Sequence, residues 1–223
     1  MAGVLVVGAS RGIGLEWVRQ ARAAGARVVA TARDEAGLQR LRELGAVALQ
    51  LDVSDAASVS GLAWQIDGYQ FDEVAVVAGV FGPRTAHIRQ LPTEAEFAQV
   101  MQTNVLGPMR VVPQLLDALA PQARLALLSS RMGSMGLRSG KGSSLYRASK
   151  AALNSYLKDV ALELQGRAIC LSLHPGWVRT EMGGEDADID VQTSVAGMRA
   201  TLAGLSPADN GAFLDYEGQA LAW

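Results

Sequence analysis

Tyr146 and Lys150 stand four residues apart, a separation that places two side chains on one face of an α-helix and lets their ends meet on the same bound molecule. A free phenol titrates near ~10, and a neighbouring ammonium favours its ionised form. The pair therefore reads as a proton-transfer unit, with Tyr146 as acid or base and Lys150 as the charge that tunes it. Near the start of the chain, Gly8-Ala9-Ser10-Arg11-Gly12-Ile13-Gly14 follows an apolar run. Its three glycines suit a loop that holds a pyrophosphate: one for a tight turn, one for close backbone approach, one for packing the next helix on its strand. A helix beginning within this run would offer N–H groups and partial positive charge to the phosphates.

These groups need a scaffold. Short apolar runs at Val4–Val7, Arg27–Ala32, Val47–Leu51, Val74–Ala78, Leu125–Ser129 and Ala168–Leu173 predict buried parallel strands. Ile13, Trp17, Ala21 and Ala24 fall on one face of a helix that stops at Gly25. Further helices are expected at Glu35–Leu44, at Ala56–Ile66 with Ser54 as N-cap, and at Glu94–Ala120, bent or broken by Pro108 and Pro113. The last long helix covers Ser149–Leu164 and starts near Leu145, and Gly211 to Gly218 reads as a final strand before a short tail to Trp223. Alternating strands and helices imply right-handed crossovers and an α/β fold, a Rossmann-type doubly wound parallel sheet in a single domain over residues 1–223. Loops at 131–145 and 181–195, rich in Gly, Ser and charge, should lie beyond the strand ends and shape a substrate crevice.

Composition narrows the partners. The chain has 223 residues, 49% of them hydrophobic, enough for a full core without disulfides or metals. Twenty basic against 22 acidic residues leave a net charge of -2 and no broad footprint for nucleic acid or an acidic membrane. The single cysteine, Cys170, lies in an apolar run and reads as a buried strand residue. The first apolar run is too short for a membrane span or signal core, so a cytoplasmic protein with small-molecule partners is expected.

The Gly-x-x-x-Gly-x-Gly spacing, Tyr-x-x-x-Lys, and the segment Leu127-Leu128-Ser129-Ser130 together resemble the short-chain dehydrogenases/reductases, and the resemblance runs along nearly the whole chain. It implies hydride transfer between a nicotinamide and a carbonyl or alcohol substrate. Ser130 matches the family's catalytic serine and would hold the substrate oxygen beside Tyr146; Lys150 would also hydrogen-bond the nicotinamide ribose. Asn104, in Thr103-Asn104-Val105-Leu106-Gly107-Pro108, matches an asparagine inside the long helix that locally disturbs its hydrogen bonding and so holds a water in a proton relay to the lysine. Cofactor contacts are implied for Gly8, Ser10, Arg11, Gly12, Ile13 and Gly14, and for Ala78 and Gly79 after the fourth strand. Pro175, Gly176, Val178 and Thr180 would lie beside the nicotinamide, with Thr180 reaching either its carboxamide or a phosphate. Asp52 and Val53 match the family's pair at the adenine, although Asp52 equally suits a turn or helix cap.

An acidic residue ending the second strand would select NAD(H). Here the place is Ala32, followed by Arg33, and Arg33 with Arg11 could clamp a 2′-phosphate, so NADP(H) is favoured and NAD(H) remains possible. Both arginines could instead be solvated surface charges. His174 has no second histidine beside it in the sequence to suggest a metal site, so none is expected. Val7 stands where the family has threonine, and Val76-Val77 replaces two asparagines. The pattern looks like the C-factor and carbonyl-reductase-like branch, and the family implies a homodimer or homotetramer. The alternative is a nucleotide-binding signalling or regulatory protein of C-factor type with little turnover.

Overall fold

The computed structural model describes residues 1–223. Seven strands, β1 (Gly3–Val7), β2 (Arg27–Ala32), β3 (Val47–Gln50), β4 (Phe71–Val76), β5 (Leu119–Leu128), β6 (Ala168–His174) and β7 (Ala212–Asp215), form one sheet in the order β3-β2-β1-β4-β5-β6-β7. Every neighbouring pair is parallel. The order reverses between β1 and β4, which opens a crevice at the carboxyl ends of these strands.

The alternation of side chains along β1 divides the core. Leu5 and Val7 face one side, with Val111, Leu115, Leu153 and Leu157, and Val4 and Val6 face the other, with Trp17, Val18 and Leu171. On the first side lie α3 (Ala56–Ser60), α4 (Leu62–Gln65), α5 (Glu94–Met101), α6 (Gly107–Leu115) and α7 (Ser144–Glu163); on the second lie α1 (Gly12–Ala23), α2 (Glu35–Glu43) and α8 (Val191–Gly204). No helix is long and apolar enough to cross a membrane.

Several boundaries differ from expectation. The helix over Ala56–Ile66 is split at Gly61, and its cap is Asp55, whose carboxylate accepts from Ala57 N at 3.0 Å. Ser54 does not cap it, because its hydroxyl donates to Asp52 instead. The stretch Glu94–Ala120 is interrupted by a π-turn over Gln102–Leu106, ahead of both prolines. Pro108 sits in the first turn of α6, directly after the π-turn, and Pro113 is carried inside that helix. The chain has already entered β5 at Leu119, so the helix does not reach Ala120. β4 ends at Val76 rather than Ala78, since Val77 and Ala78 both turn their N–H groups onto the Val7 carbonyl. α7 begins at Ser144, which places Tyr146 in its first turn. Beyond β7 the chain turns back antiparallel, with Leu221 N bonded to Phe213 O at 2.8 Å.

Candidate active site

α7 carries Tyr146 and Lys150 on the face that packs against the end of β5. Lys150 is buried and its Nζ donates to the Leu128 carbonyl at 2.7 Å, 5.9 Å from the centre of the Tyr146 ring. The turn Arg131–Gly133 follows Ser130 and lies directly on this helix. A Cβ on Gly133 would come within 2.8 Å of the Lys150 backbone, so only glycine permits that approach. The Ser130 hydroxyl accepts from Met132 N at 3.1 Å. Its neighbour Ser129 turns inward, donating to Asn154 Oδ1 at 2.6 Å, which leaves the second serine of the pair at the cleft.

Burial pushes the Tyr146 phenol up to about 12, while a hydrogen bond from Ser130 works the other way. Burial also pushes Lys150 down to about 8. At neutral pH the tyrosine thus holds its proton and the lysine its charge, a state suited to donating a proton. His174, at the end of β6, is pushed down to about 4, chiefly by burial, and is neutral at pH 7. No group of three or more His, Cys, Asp or Glu side chains is placed to hold a metal ion.

Asn104 is fully buried in the π-turn. Its Nδ2 donates to Val80 O and its Oδ1 accepts from Val80 N, both at 2.8 Å, and Nδ2 also reaches Ser149 Oγ at 3.0 Å. Asn104 and Lys150 converge beside Gly79, where a Cβ would lie 3.3 Å from Asn104 Oδ1 and 3.5 Å from Lys150 Nζ. After Val80, Phe81 stacks on Tyr146 with ring centres 4.3 Å apart. Arg84 covers the Phe81 ring at 4.3 Å and donates to Met182 O at 2.6 Å. Neither Phe81 nor Arg84 carried a signal in the sequence, since both lie in an irregular loop without periodicity.

At the other end of the crevice, Gly8 has φ 88° and a Cβ there would sit 2.6 Å from the Ala78 backbone. A Cβ on Gly14 would lie 2.4 Å from Gly8 O, so the helix packs on the turn only because that position is bare. The N-cap Arg11 supplies no side-chain acceptor to the first turn of α1. Across from Gly12, the nearest group to a built Cβ is the Thr180 methyl at 3.5 Å. The Thr180 hydroxyl accepts from Gly183 N at 3.1 Å, which fixes its orientation towards the loop. Pro175 is held by Ser194, and Gly176 adopts φ 84° with Ile189 2.7 Å from a built Cβ. Ser10 in the loop and Ile13 in the first turn of α1 are half-buried, and Val178 is buried. The bare glycine turn, the uncapped helix end and the facing threonine fit a dinucleotide pyrophosphate.

Two residues at this end were not foreseen. Thr31 Oγ1 accepts from Gly8 N at 3.0 Å, which bonds the glycine turn to β2. Arg40 donates from Nε to Ser10 O at 3.0 Å. The two arginines expected as a clamp are differently placed: exposed Arg11 pairs with Glu181 at 2.7 Å, whereas exposed Arg33 has no ion-pair partner. Asp52 is held below the ordinary carboxylate value; burial raises it, but two Ser54 hydrogen bonds and the Arg33 charge outweigh that. Val53 is buried against the start of α6, within 3.0 Å of a Cβ built on Gly107.

The family model described as short chain dehydrogenase matches residues 2–189. The C-signal protein of Myxococcus xanthus is 40% identical over 132 residues, which span 58% of this chain and 80% of that protein. Among solved structures, the carbonyl reductase Sniffer of D. melanogaster is 30% identical with a TM-score of 0.91, covering 100% of both chains. A carbonyl reductase from Pseudomonas aeruginosa in complex with NADP is 34% identical with a TM-score of 0.86, again over 100% of both chains.

Proposed function

Since this chain belongs to the short-chain dehydrogenase family, we propose that it is an NADP(H)-dependent oxidoreductase acting on a carbonyl or the matching alcohol. One observation carries this reading: Tyr146 and Lys150 stand on the same helix face with Ser130 beside the phenol, at the carboxyl end of the sheet that also bears the Gly8–Gly14 cradle. The bound nicotinamide supplies or accepts the hydride.

The protein's own part is positioning and proton transfer. Ser130 donates to the substrate oxygen and holds it at the phenol. Tyr146, kept protonated by burial, delivers its proton to that oxygen during reduction. Lys150 carries positive charge within reach of the ring and can exchange its Leu128 hydrogen bond for the nicotinamide ribose. Asn104 anchors the loop bearing Gly79, and its π-turn loosens the helical ladder where a water could relay protons to Lys150.

Gly8, Ser10, Gly12, Ile13 and Gly14 would hold the pyrophosphate, Asp52 and Val53 the adenine, and Ala78 and Gly79 the sugar side. Pro175, Gly176, Val178 and Thr180 would flank the nicotinamide. Arg33 is free to meet a 2′-phosphate, and Arg11 can join it by giving up an exposed ion pair worth only ~0–1 kcal/mol. The likeness to NADP-bound carbonyl reductases supports the cofactor preference. The expected loops at 131–145 and 181–195 are shorter than their bounds, since α7 takes over at Ser144 and α8 at Val191; the irregular parts before those helices would enclose the substrate. Exposed Phe97, Leu106 and Met109 on and between α5 and α6 support assembly as a homodimer or homotetramer. A cytoplasmic setting suits the single buried thiol of Cys170.

The test is fluorescence titration with NADPH and NADH, then a panel of carbonyl substrates with wild type and Tyr146→Phe. Tight NADPH binding and turnover that disappears in the variant are expected; failure to bind either nucleotide would overturn the reading. Binding without turnover across the panel would instead favour the regulatory alternative.

A further inference from the structure

The three planar groups Arg84, Phe81 and Tyr146 form one stack, with the guanidinium 4.3 Å from the centre of the Phe81 ring and the two rings 4.3 Å apart at an interplanar angle of 18°. Carbon atoms pack best at ~3.5–4.0 Å, so no substrate group fits between these layers. The stack is also anchored. Val80, preceding Phe81, exchanges both backbone hydrogen bonds with Asn104. Following it, Gly82 adopts φ 72° against Val100, where a built Cβ would meet Cγ2 at 2.4 Å. Thr85 O accepts from Ser143 N at 2.7 Å, immediately before the helix that carries Tyr146. Arg84 ties the outer layer to Met182 O at 2.6 Å.

A ring fixed in this way covers one face of the catalytic phenol and forms a wall beside the hydroxyl. A carbonyl whose oxygen sits between Ser130 and Tyr146 must direct one of its two substituents towards that wall. Resting on the reductase reading above, we propose that Phe81 is the specificity-determining residue of this site, limiting the substrate to aldehydes and to ketones with one small substituent. Arg84 acts through Phe81 as a positioning residue, holding the ring flat on Tyr146.

Two measurements test this. In the protein without cofactor, Tyr146 nitration by tetranitromethane is followed by mass spectrometry; wild type should be protected and Phe81→Ala modified at least tenfold faster. With NADPH, kcat/KM is compared for acetophenone and butyrophenone, which differ only in the substituent opposite the phenyl ring. Wild type should favour acetophenone by at least tenfold, Phe81→Ala should shrink that ratio at least tenfold with NADPH binding unchanged, and Arg84→Ala should shrink it less. If Phe81→Ala does not fold by circular dichroism, Phe81→Leu should move both readouts in the same direction. Equal nitration of wild type and variant, or a ratio that Phe81→Ala leaves unchanged, overturns the proposal while leaving the reductase assignment intact. Absence of turnover by wild type on any carbonyl overturns the reductase assignment and this inference with it, whatever the nitration shows.

Discussion

The side-chain amide of Asn104 closes a ring of two hydrogen bonds with the backbone of Val80, one donated by Nδ2 and one accepted by Oδ1, both at 2.8 Å. A residue in the middle of a helical stretch thereby fixes the loop that leaves β4 and brings Gly79 and Phe81 to the catalytic tyrosine.

Asn104→Ala would strand the N–H and the carbonyl of Val80. An unsatisfied, part-buried polar group costs ~1–3 kcal/mol, so a lower unfolding midpoint is expected in urea, together with slower turnover. An unchanged midpoint would show that the loop is held by other contacts.

Tyr146→Phe keeps the ring that Phe81 packs against and removes only the hydroxyl. Turnover should fall by ~10²–10⁴-fold, the usual contribution of a positioned acid or base, while NADPH still binds. Steady-state kinetics beside a binding titration would check this, and retained turnover would move the proton to another group.

The pH dependence should follow Lys150. Burial lowers it from 10.5 to about 8, so the folded state disfavours the charged form. The sign is therefore a penalty that is full below about 8 and is relieved as pH rises towards 10. Equilibrium unfolding should show this group's contribution becoming more favourable across that window, and Lys150→Met should abolish the change. The reduction rate should move oppositely, falling above about 8 as the ammonium is lost, because Tyr146 at about 12 still keeps its proton. A pH–rate profile flat from 7 to 10 would remove Lys150 from the proton chemistry.

Arg33→Glu should weaken NADPH binding by roughly 10–100-fold and leave NADH little affected, the loss of about one to two charge-assisted hydrogen bonds at a phosphate. Arg11→Ala should cost less, since Arg11 is already paired with Glu181. Equal loss for both nucleotides would assign Arg33 a role at the shared part of the cofactor.

The sequence by itself determined the layered architecture, because buried parallel strands need unbroken apolar runs and the helices between them need an apolar stripe. It also determined the glycine cradle and the Tyr146–Lys150 pair, since a bare Cβ position and an i,i+4 spacing are local properties. In the long helix the two prolines do not make the break; it lies at Asn104, where the family resemblance implied disturbed helical hydrogen bonding, and what holds it there is a backbone 24 residues away. What no local pattern carries is partner choice across the fold. Thr31 ties β2 to the glycine turn at Gly8, Glu181 takes Arg11 from a distance of 170 residues, and Phe81 closes over Tyr146 from an irregular loop. Each of these depends on which strand ends the parallel sheet sets side by side, and only the packed tertiary structure decides that.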